Sequence, residues 1–365
     1  MDIAILGLAQ SGKTTLFKAL TAGRGESASG AGAPVLMGVV KVMDPRLDIL
    51  ARMFRPQRVV PSDIRFLDVI APPSGLGKTQ GFSGPILNSL SGAAAFVLVV
   101  RSFKDEGVPH ILGAVDPHRD LATLDLELAF SDLGIVERRL QRIAASYRGA
   151  KPAEREVLDR EKALLERFKA GLEAEKPVRL MQVSPDETRF TENYALLTAK
   201  SLLAVVNIGE DQVGQAPEVD AEWSSRYAAR GLTTVALCAK LEAELALLDP
   251  KEALEFRRSL GVPEEPAINR LVRLSYQMLG LASFLTVGED EVRAWTIAEG
   301  TPAVKAAGKV HSDIERGFIR AEVVTYDDLV SCGGLAEARK KGQLRLEGKT
   351  YPVKDGDVIN FLFNV

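Results

Sequence analysis

Short apolar runs bounded by glycine, proline or charged residues recur along the first third of the chain: Ile3-Ala4-Ile5-Leu6, Gly38-Val39-Val40-Lys41-Val42, Ile64-Arg65-Phe66-Leu67-Asp68-Val69-Ile70 and Phe96-Val97-Leu98-Val99-Val100. Runs this short predict strands, and the wholly apolar 96–100 run predicts one covered on both faces in a parallel sheet. Behind the first run, Thr15, Leu16, Phe17, Ala19 and Leu20 continue at helical spacing. Asp44-Pro45-Arg46-Leu47 sets a capping carboxylate before a proline in the first turn, which opens a short helix. From about 116 to 175 the period becomes helical, with Leu126, Ala129, Leu133, Val136, Leu140 and Ile143 alternating steps of three and four. Residues 149 to 152 break this heptad seam, and Leu158, Leu165, Phe168 and Leu172 resume it, predicting an antiparallel pair of helices. Strands return at 202–207 and 233–238, and from about Leu281 shorter alternating strands appear, such as 292–297 and 357–363.

Strands alternating with helices predict a doubly wound α/β domain interrupted by the helical pair, followed by a small α+β domain. The expected division is 1–115 and 199–280 for the two parts of the sheet domain, 116–198 for the helical hairpin and 281–365 for the last domain. Between the first strand and its helix stands Gly7-Leu8-Ala9-Gln10-Ser11-Gly12-Lys13-Thr14, which satisfies Gly-x-x-x-x-Gly-Lys-Ser/Thr in the order strand, loop, helix. Glycines let successive N–H groups turn toward an anion, and the helix N-terminus adds partial positive charge. Lys13 would reach the outer phosphates and the Thr14 hydroxyl a bridging magnesium ion. The alternative is a glycine-rich turn that binds nothing.

Asp68 lies near the end of its predicted strand, where a carboxylate could hold magnesium against this loop. Two further stretches flank the same corner. Residues 23–34 are almost entirely Gly, Ala and Ser, too poor in apolar area to order by burial; residues 71–81 are glycine-rich with Pro72 and Pro73 and predict a second phosphate-facing loop.

Composition narrows the class. With 365 residues and 46% hydrophobic positions the chain can build two or three cores, and a net charge of −3 neither favours nor excludes nucleic acid. Cys238 and Cys332 are too far apart in sequence to suggest a disulfide framework or a metal spacing, and His110, His118 and His311 are scattered. No run reaches the length of a bilayer span, so the expectation is a cytoplasmic protein without a membrane partner. Arg339, Lys340 and Lys341 with Arg345 and Lys349 form a modest basic cluster, more readily a solvated face than an RNA site.

The whole chain resembles the YchF or Obg-like ATPase family. The resemblance rests on the phosphate loop and on Met43-Asp44-Pro45-Arg46-Leu47-Asp48, Glu291-Val292-Arg293-Ala294-Trp295-Thr296, Glu315-Arg316-Gly317-Phe318-Ile319-Arg320-Ala321-Glu322-Val323 and Asp355-Gly356-Asp357-Val358-Ile359-Asn360-Phe361. It implies a P-loop NTPase sheet with an inserted helical hairpin and a C-terminal ubiquitin-like domain of the TGS, or β-grasp, type. It also implies a nucleotide site at Gly7, Ala9, Gln10, Ser11, Gly12, Lys13, Thr14 and Thr15, with Asn207, Ile208, Glu210, Cys238 and Ala239 around the base, and magnesium at Thr14 and Asp68. Family members prefer ATP: their Asn-x-x-Glu, here Asn207 to Glu210 with Ile208 in the lysine place, replaces the guanine-reading Asn-Lys-x-Asp of GTPases. Losing that bidentate contact forfeits about 1.5–3 kcal/mol per charged hydrogen bond. Ribosome or RNA association through the arm and TGS-like domain is implied as well.

Two departures bear on catalysis. Where the family has Asp-x-x-Gly, this chain has Asp68-Val69-Ile70-Ala71 followed by two prolines, and residues 30–36 hold no threonine for the metal, leaving Ser27 and Ser29 nearest. No catalytic residue is assigned on this reading. The expectation is a slow ATPase acting as a translation-associated switch; the alternatives are a nucleotide-binding interaction module with little hydrolysis, and a GTP-binding protein.

Overall fold

The computed structural model describes residues 1–27, 35–69, 82 and 84–364. The expected second phosphate-facing loop and most of the expected 23–34 loop, including Ser29, lie outside the described residues, as do Ile70 and Ala71. The chain forms two units that do not follow sequence order: 1–39 with 65–270, and 40–64 with 271–365.

The sheet of the first unit holds β1 Asp2–Gly7, β2 Glu26–Ser27, β3 Val35–Lys41, β5 Asp63–Val69, β6 Ala95–Arg101, β7 Ser201–Asn207 and β8 Thr233–Leu237; β4 Arg58–Val60 belongs to the second unit. The strands of this sheet order as β2-β3-β5-β1-β6-β7-β8. The pairs β1–β5, β1–β6, β6–β7 and β7–β8 are parallel, as strands separated by helical crossovers must be. Every residue of β6 is buried, as its unbroken apolar run requires of a central strand. The expected unordered stretch 23–34 is corrected at its start. Glu26 and Ser27 pair antiparallel with Met37 and Leu36, because backbone pairing needs no apolar side chain.

Helices α1 Lys13–Thr21, α2 Pro45–Phe54 (second unit), α4 Pro117–Tyr147 and α5 Pro152–Glu173 follow the predicted spacings, whereas α3 Gly84–Gly92 stands where the sequence predicted no element. The 31-residue helix α4 changes partner along its length. Leu121, Leu124 and Leu128 pack into the core of the sheet, whereas Ala129, Val136 and Ile143 pack with Leu164, Leu165, Phe168 and Leu172 of α5. The cross-links Lys169 to Glu137 at 2.8 Å, Arg139 to Glu161 at 2.7 Å and Tyr147 to Asp159 at 3.0 Å run in opposite senses on the two helices, so the pair is antiparallel.

The second unit holds a six-stranded sheet built from β9 Leu281–Val287, β10 Glu291–Ala298, β11 Phe318–Thr325, β12 Arg345–Glu347 and β13 Asp357–Phe363, with β4 at its edge, in the order β12-β11-β13-β9-β10-β4. The period of two puts Phe284, Ile297, Val323 and Phe361 on one face with Ala303, Ala306 and Ala307. Leu285, Val292, Val324 and Val358 lie on the other face with Leu47 and Leu50 of α2. Residues 40–64 are thus built into this sheet: β4 pairs parallel to β10, and Arg46 bridges Asp44 and Asp355, each at 2.8 Å. Local patterning reads α2 correctly as a helix, but its partner lies more than two hundred residues away, beyond the reach of any local period.

Candidate nucleotide-binding site

The loop between β1 and α1 is held by close approach. A side chain at Gly7 would sit 2.5 Å from the Val99 carbonyl oxygen, and one at Gly12, whose φ is +96°, would strike the Asn207 side-chain amide. Gln10 also takes a left-handed conformation, with φ at +62°. Both turns bring backbone to the head of α1, which is what an anion-binding loop needs.

Lys13 Nζ donates to the carbonyls of Gly7 at 3.0 Å and Leu8 at 2.8 Å. Burial pushes its pKa down, with Asp68 pulling the other way. Thr14 Oγ1 donates to Asp68 Oδ2 at 2.9 Å. Asp68 is completely buried, and its Oδ1 has no hydrogen-bond partner, nor has the buried Ser11 Oγ. Burial pushes the Asp68 carboxyl up; the Thr14 hydrogen bond and the Lys13 charge oppose this. A hydroxyl beside a carboxylate with one free oxygen is a donor set that fits magnesium, which takes oxygen ligands and keeps part of its water or phosphate shell. Among the described residues no cluster of three or more His, Cys, Asp or Glu forms a cage, so protein groups would supply only part of that shell.

Asn207, at the end of β7, joins three segments. Its Nδ2 donates to the Ser11 carbonyl at 2.9 Å, its Oδ1 accepts from the Ala239 N–H at 3.0 Å, and its carbonyl accepts from the N–H groups of Ser102 and Phe103 at 2.9 and 3.2 Å. Around it opens a cavity of about 540 Å³. Of the residues expected from sequence, Gln10, Gly12, Thr15, Asn207, Ile208, Glu210 and Cys238 line it. Gly7, Ser11, Lys13 and Thr14 form the loop beneath, Ala239 enters through its N–H, and Ala9 belongs to the loop without lining the cavity. Ile208 is buried, and the Glu210 carboxylate is engaged by Lys240 at 2.7 Å.

Sequence reasoning missed one wall, formed by Phe103, Lys104, Asp105 and Val108. A signal was present: in parallel α/β sheets ligands bind beyond the carboxyl ends of strands, and residue 102 begins at that end of β6, the strand beside β1. The histidines take packing and capping roles: His110 Nε2 lies 2.7 Å from the buried Asp120, His118 stacks on Trp223, and His311 accepts from the Asp313 N–H. In the basic cluster Arg339 pairs with Glu322 at 2.5 Å and Lys340 with Glu337 at 2.6 Å, which neutralises much of its charge.

Comparison with known proteins gives a consistent picture. Residues 281–364 match a family described as "YchF-GTPase_C: Protein of unknown function (DUF933)". The chain is 39% identical over 369 residues to the "Ribosome-binding ATPase YchF" of Bacillus subtilis, covering all of both chains. It is 33% identical to the "Obg-like ATPase 1" of Caenorhabditis elegans, covering all of this chain and 92% of that one. The solved structure of the Schizosaccharomyces pombe "YchF GTPase" superposes with a TM-score of 0.86 at 29% identity, covering 99% of this chain and 97% of that one.

Proposed function

The chain belongs to the YchF family of Obg-like ATPases, and from that premise we propose that it binds ATP with magnesium in the cavity around Asn207, hydrolyses it slowly and couples the bound state to ribosome association in the cytoplasm. The observation that carries this reading is the Asn207 side chain. One planar amide ties the phosphate loop at Ser11 to the base-side turn at Ala239, so phosphate and base subsites are fixed relative to each other. The turn Asn207-Ile208-Gly209-Glu210, with a buried Ile208 in the lysine place and Glu210 paired to Lys240, departs from the guanine-reading Asn-Lys-x-Asp, which favours ATP over GTP.

Bound magnesium would neutralise charge on the phosphates, with Thr14 and Asp68 as the residues that hold it. Lys13 would exchange its two loop carbonyls for phosphate oxygens, and the loop amides would orient the chain of phosphates. These groups position and stabilise charge; none is placed as a base, which fits slow turnover. The paired prolines at 72 and 73 favour a second reading, a nucleotide-binding module whose hydrolysis is negligible without a partner.

Calorimetric titration of ATP, GTP and a non-hydrolysable ATP analogue, with and without magnesium, tests the proposal. ATP is expected to bind more tightly than GTP and to gain from magnesium, with Lys13→Ala weakening it at least about a hundredfold through the loss of charged hydrogen bonds. GTP binding as tight as ATP would sink the base assignment. Metal-dependent turnover, followed by co-sedimentation with ribosomes in each nucleotide state, separates the switch from the module.

A further inference from the structure

We propose that Arg101 is a positioning residue for the nucleotide: it holds the 103–108 wall of the cavity in place while touching no ligand itself. The inference rests on the nucleotide reading above.

Arg101 closes β6 and is only 1% exposed, the largest side chain so completely buried among the described residues. A buried guanidinium without a carboxylate is costly, and the hydrogen bonds of Arg101 among the described residues go to main-chain carbonyls. Its donors go instead to the loop that follows it. Nε donates to the Phe103 carbonyl at 3.2 Å, Nη2 to the Val108 carbonyl at 2.7 Å and at the edge of bonding distance to the Asp105 carbonyl at 3.5 Å, and the guanidinium lies 4.3 Å from the centre of the Phe103 ring. Nη1 is buried without a partner.

The loop has little else to fix it. Internally it has the Val108 N–H on the Asp105 carbonyl at 3.2 Å and the Gly107 N–H on the Asp105 carboxylate at 2.9 Å; its first two amides hang from the Asn207 carbonyl. Beyond these bonds, the planar fork of one arginine ties the carbonyls of Phe103, Asp105 and Val108 back to the end of β6. That wall spans the cavity from the phosphate loop, where a side chain at Gly12 would come within 4.0 Å of the Phe103 ring, to the base side at Ile208 and Cys238. An arginine buried at this point serves no contact of the sheet that an aliphatic residue could not serve better.

The test separates base-side from phosphate-side binding. Wild type, Arg101→Met and Arg101→Lys are titrated, in magnesium, with a non-hydrolysable ATP analogue and with inorganic tripolyphosphate, which needs only the phosphate loop. Arg101→Met is expected to weaken the ATP analogue about tenfold or more, the size of one lost charged hydrogen bond, while tripolyphosphate shifts less than about twofold. Arg101→Lys, which keeps the charge but not the fork, is expected to fall between, with faster hydrogen exchange at 103–109 and unchanged exchange at 7–14. If Arg101→Met does not fold, the lysine variant decides alone. Unchanged affinity for the ATP analogue, or equal losses for both ligands, overturns the proposal. Failure of the wild type itself to bind the ATP analogue overturns the nucleotide reading instead, a result visible before any variant is made.

Discussion

Asp68 in the nucleotide corner and Asp132 at the root of the helical hairpin are the same residue type at the same depth, each completely buried, yet their surroundings treat them in opposite ways. Asp132 has both oxygens occupied: the Leu197 N–H reaches Oδ1 at 2.8 Å, and the Thr198 N–H and hydroxyl reach Oδ2 at 2.8 and 2.6 Å. Asp68 has one oxygen on Thr14 and the other on nothing. A buried polar atom left unsatisfied calls for an explanation other than stability, because pairing it would have been favourable. The contrast separates a carboxylate that locks the fold from one held ready for a ligand. Asp132 clamps α4 to the turn where the chain re-enters the sheet; Asp68 keeps one oxygen unpartnered beside Thr14, where the proposed magnesium would sit.

The largest expected effect comes from Asp132→Ala. Removing the carboxylate strands the Leu197 and Thr198 N–H groups in the core, at about 1–3 kcal/mol each, so a loss of roughly 3 kcal/mol or more at neutral pH is expected in chemical denaturation. Burial raises this carboxyl from 3.8 to about 6 against the pull of its three hydrogen bonds. Its folded value exceeds its unfolded one, so its stabilisation is full below about pH 4 and is lost as pH rises through 6. The stability gap between wild type and Asp132→Ala should therefore be wider at pH 4.5 than at pH 7. A gap that narrows on acidification would mean the Asp132 carboxylate is held as an anion by its three donors.

Next in size is Asp68→Asn, which should invert the pattern. Burial already disfavours the Asp68 anion, so a neutral amide of the same shape should leave the melting temperature nearly unchanged. Magnesium should then add little to ATP affinity, a loss of about 10–100-fold in the metal-dependent gain. A variant that melts well below wild type would break the comparison, making Asp68 a structural residue like Asp132.

The two aspartates also mark what could be read from the chain. Asp68 was legible because it ends a predicted strand downstream of a phosphate-loop motif, and both signals are local. The same holds for β1, α1, β6 and the helical pair, whose periods survive within a dozen residues. Asp132 was not legible. It reads as a charge on a heptad helix until Leu197 and Thr198 return beside it, 65 and 66 residues later. Arg101 hides for a related reason: a charge after an apolar run looks like a solvated strand end, and only the fold of the following loop buries it. The placement of β4 against β10, and the pairing of Glu210 with Lys240 across the mouth of the cavity, likewise depend on register and rotamer that no period encodes.

The smallest expected effect, Thr198→Val, asks how much of the Asp132 lock is carried by one hydroxyl. Valine keeps the shape but removes the donor to Asp132 Oδ2 and the acceptor for the Val178 N–H at 3.2 Å, so the turn at 178–180 loses its tie to the hairpin root. Two backbone donors would remain on the carboxylate, and one buried N–H would be orphaned. The expected cost is about 1–2 kcal/mol in denaturation at pH 7. Because the Thr198 hydroxyl is the largest influence holding the Asp132 carboxyl down against burial, its loss should also move the acid-side change in stability to higher pH. A Thr198→Val chain as stable as wild type, titrating at the same pH, would show that the two amides alone hold Asp132. The distinction from Asp68 would then rest on backbone geometry rather than on a side-chain network.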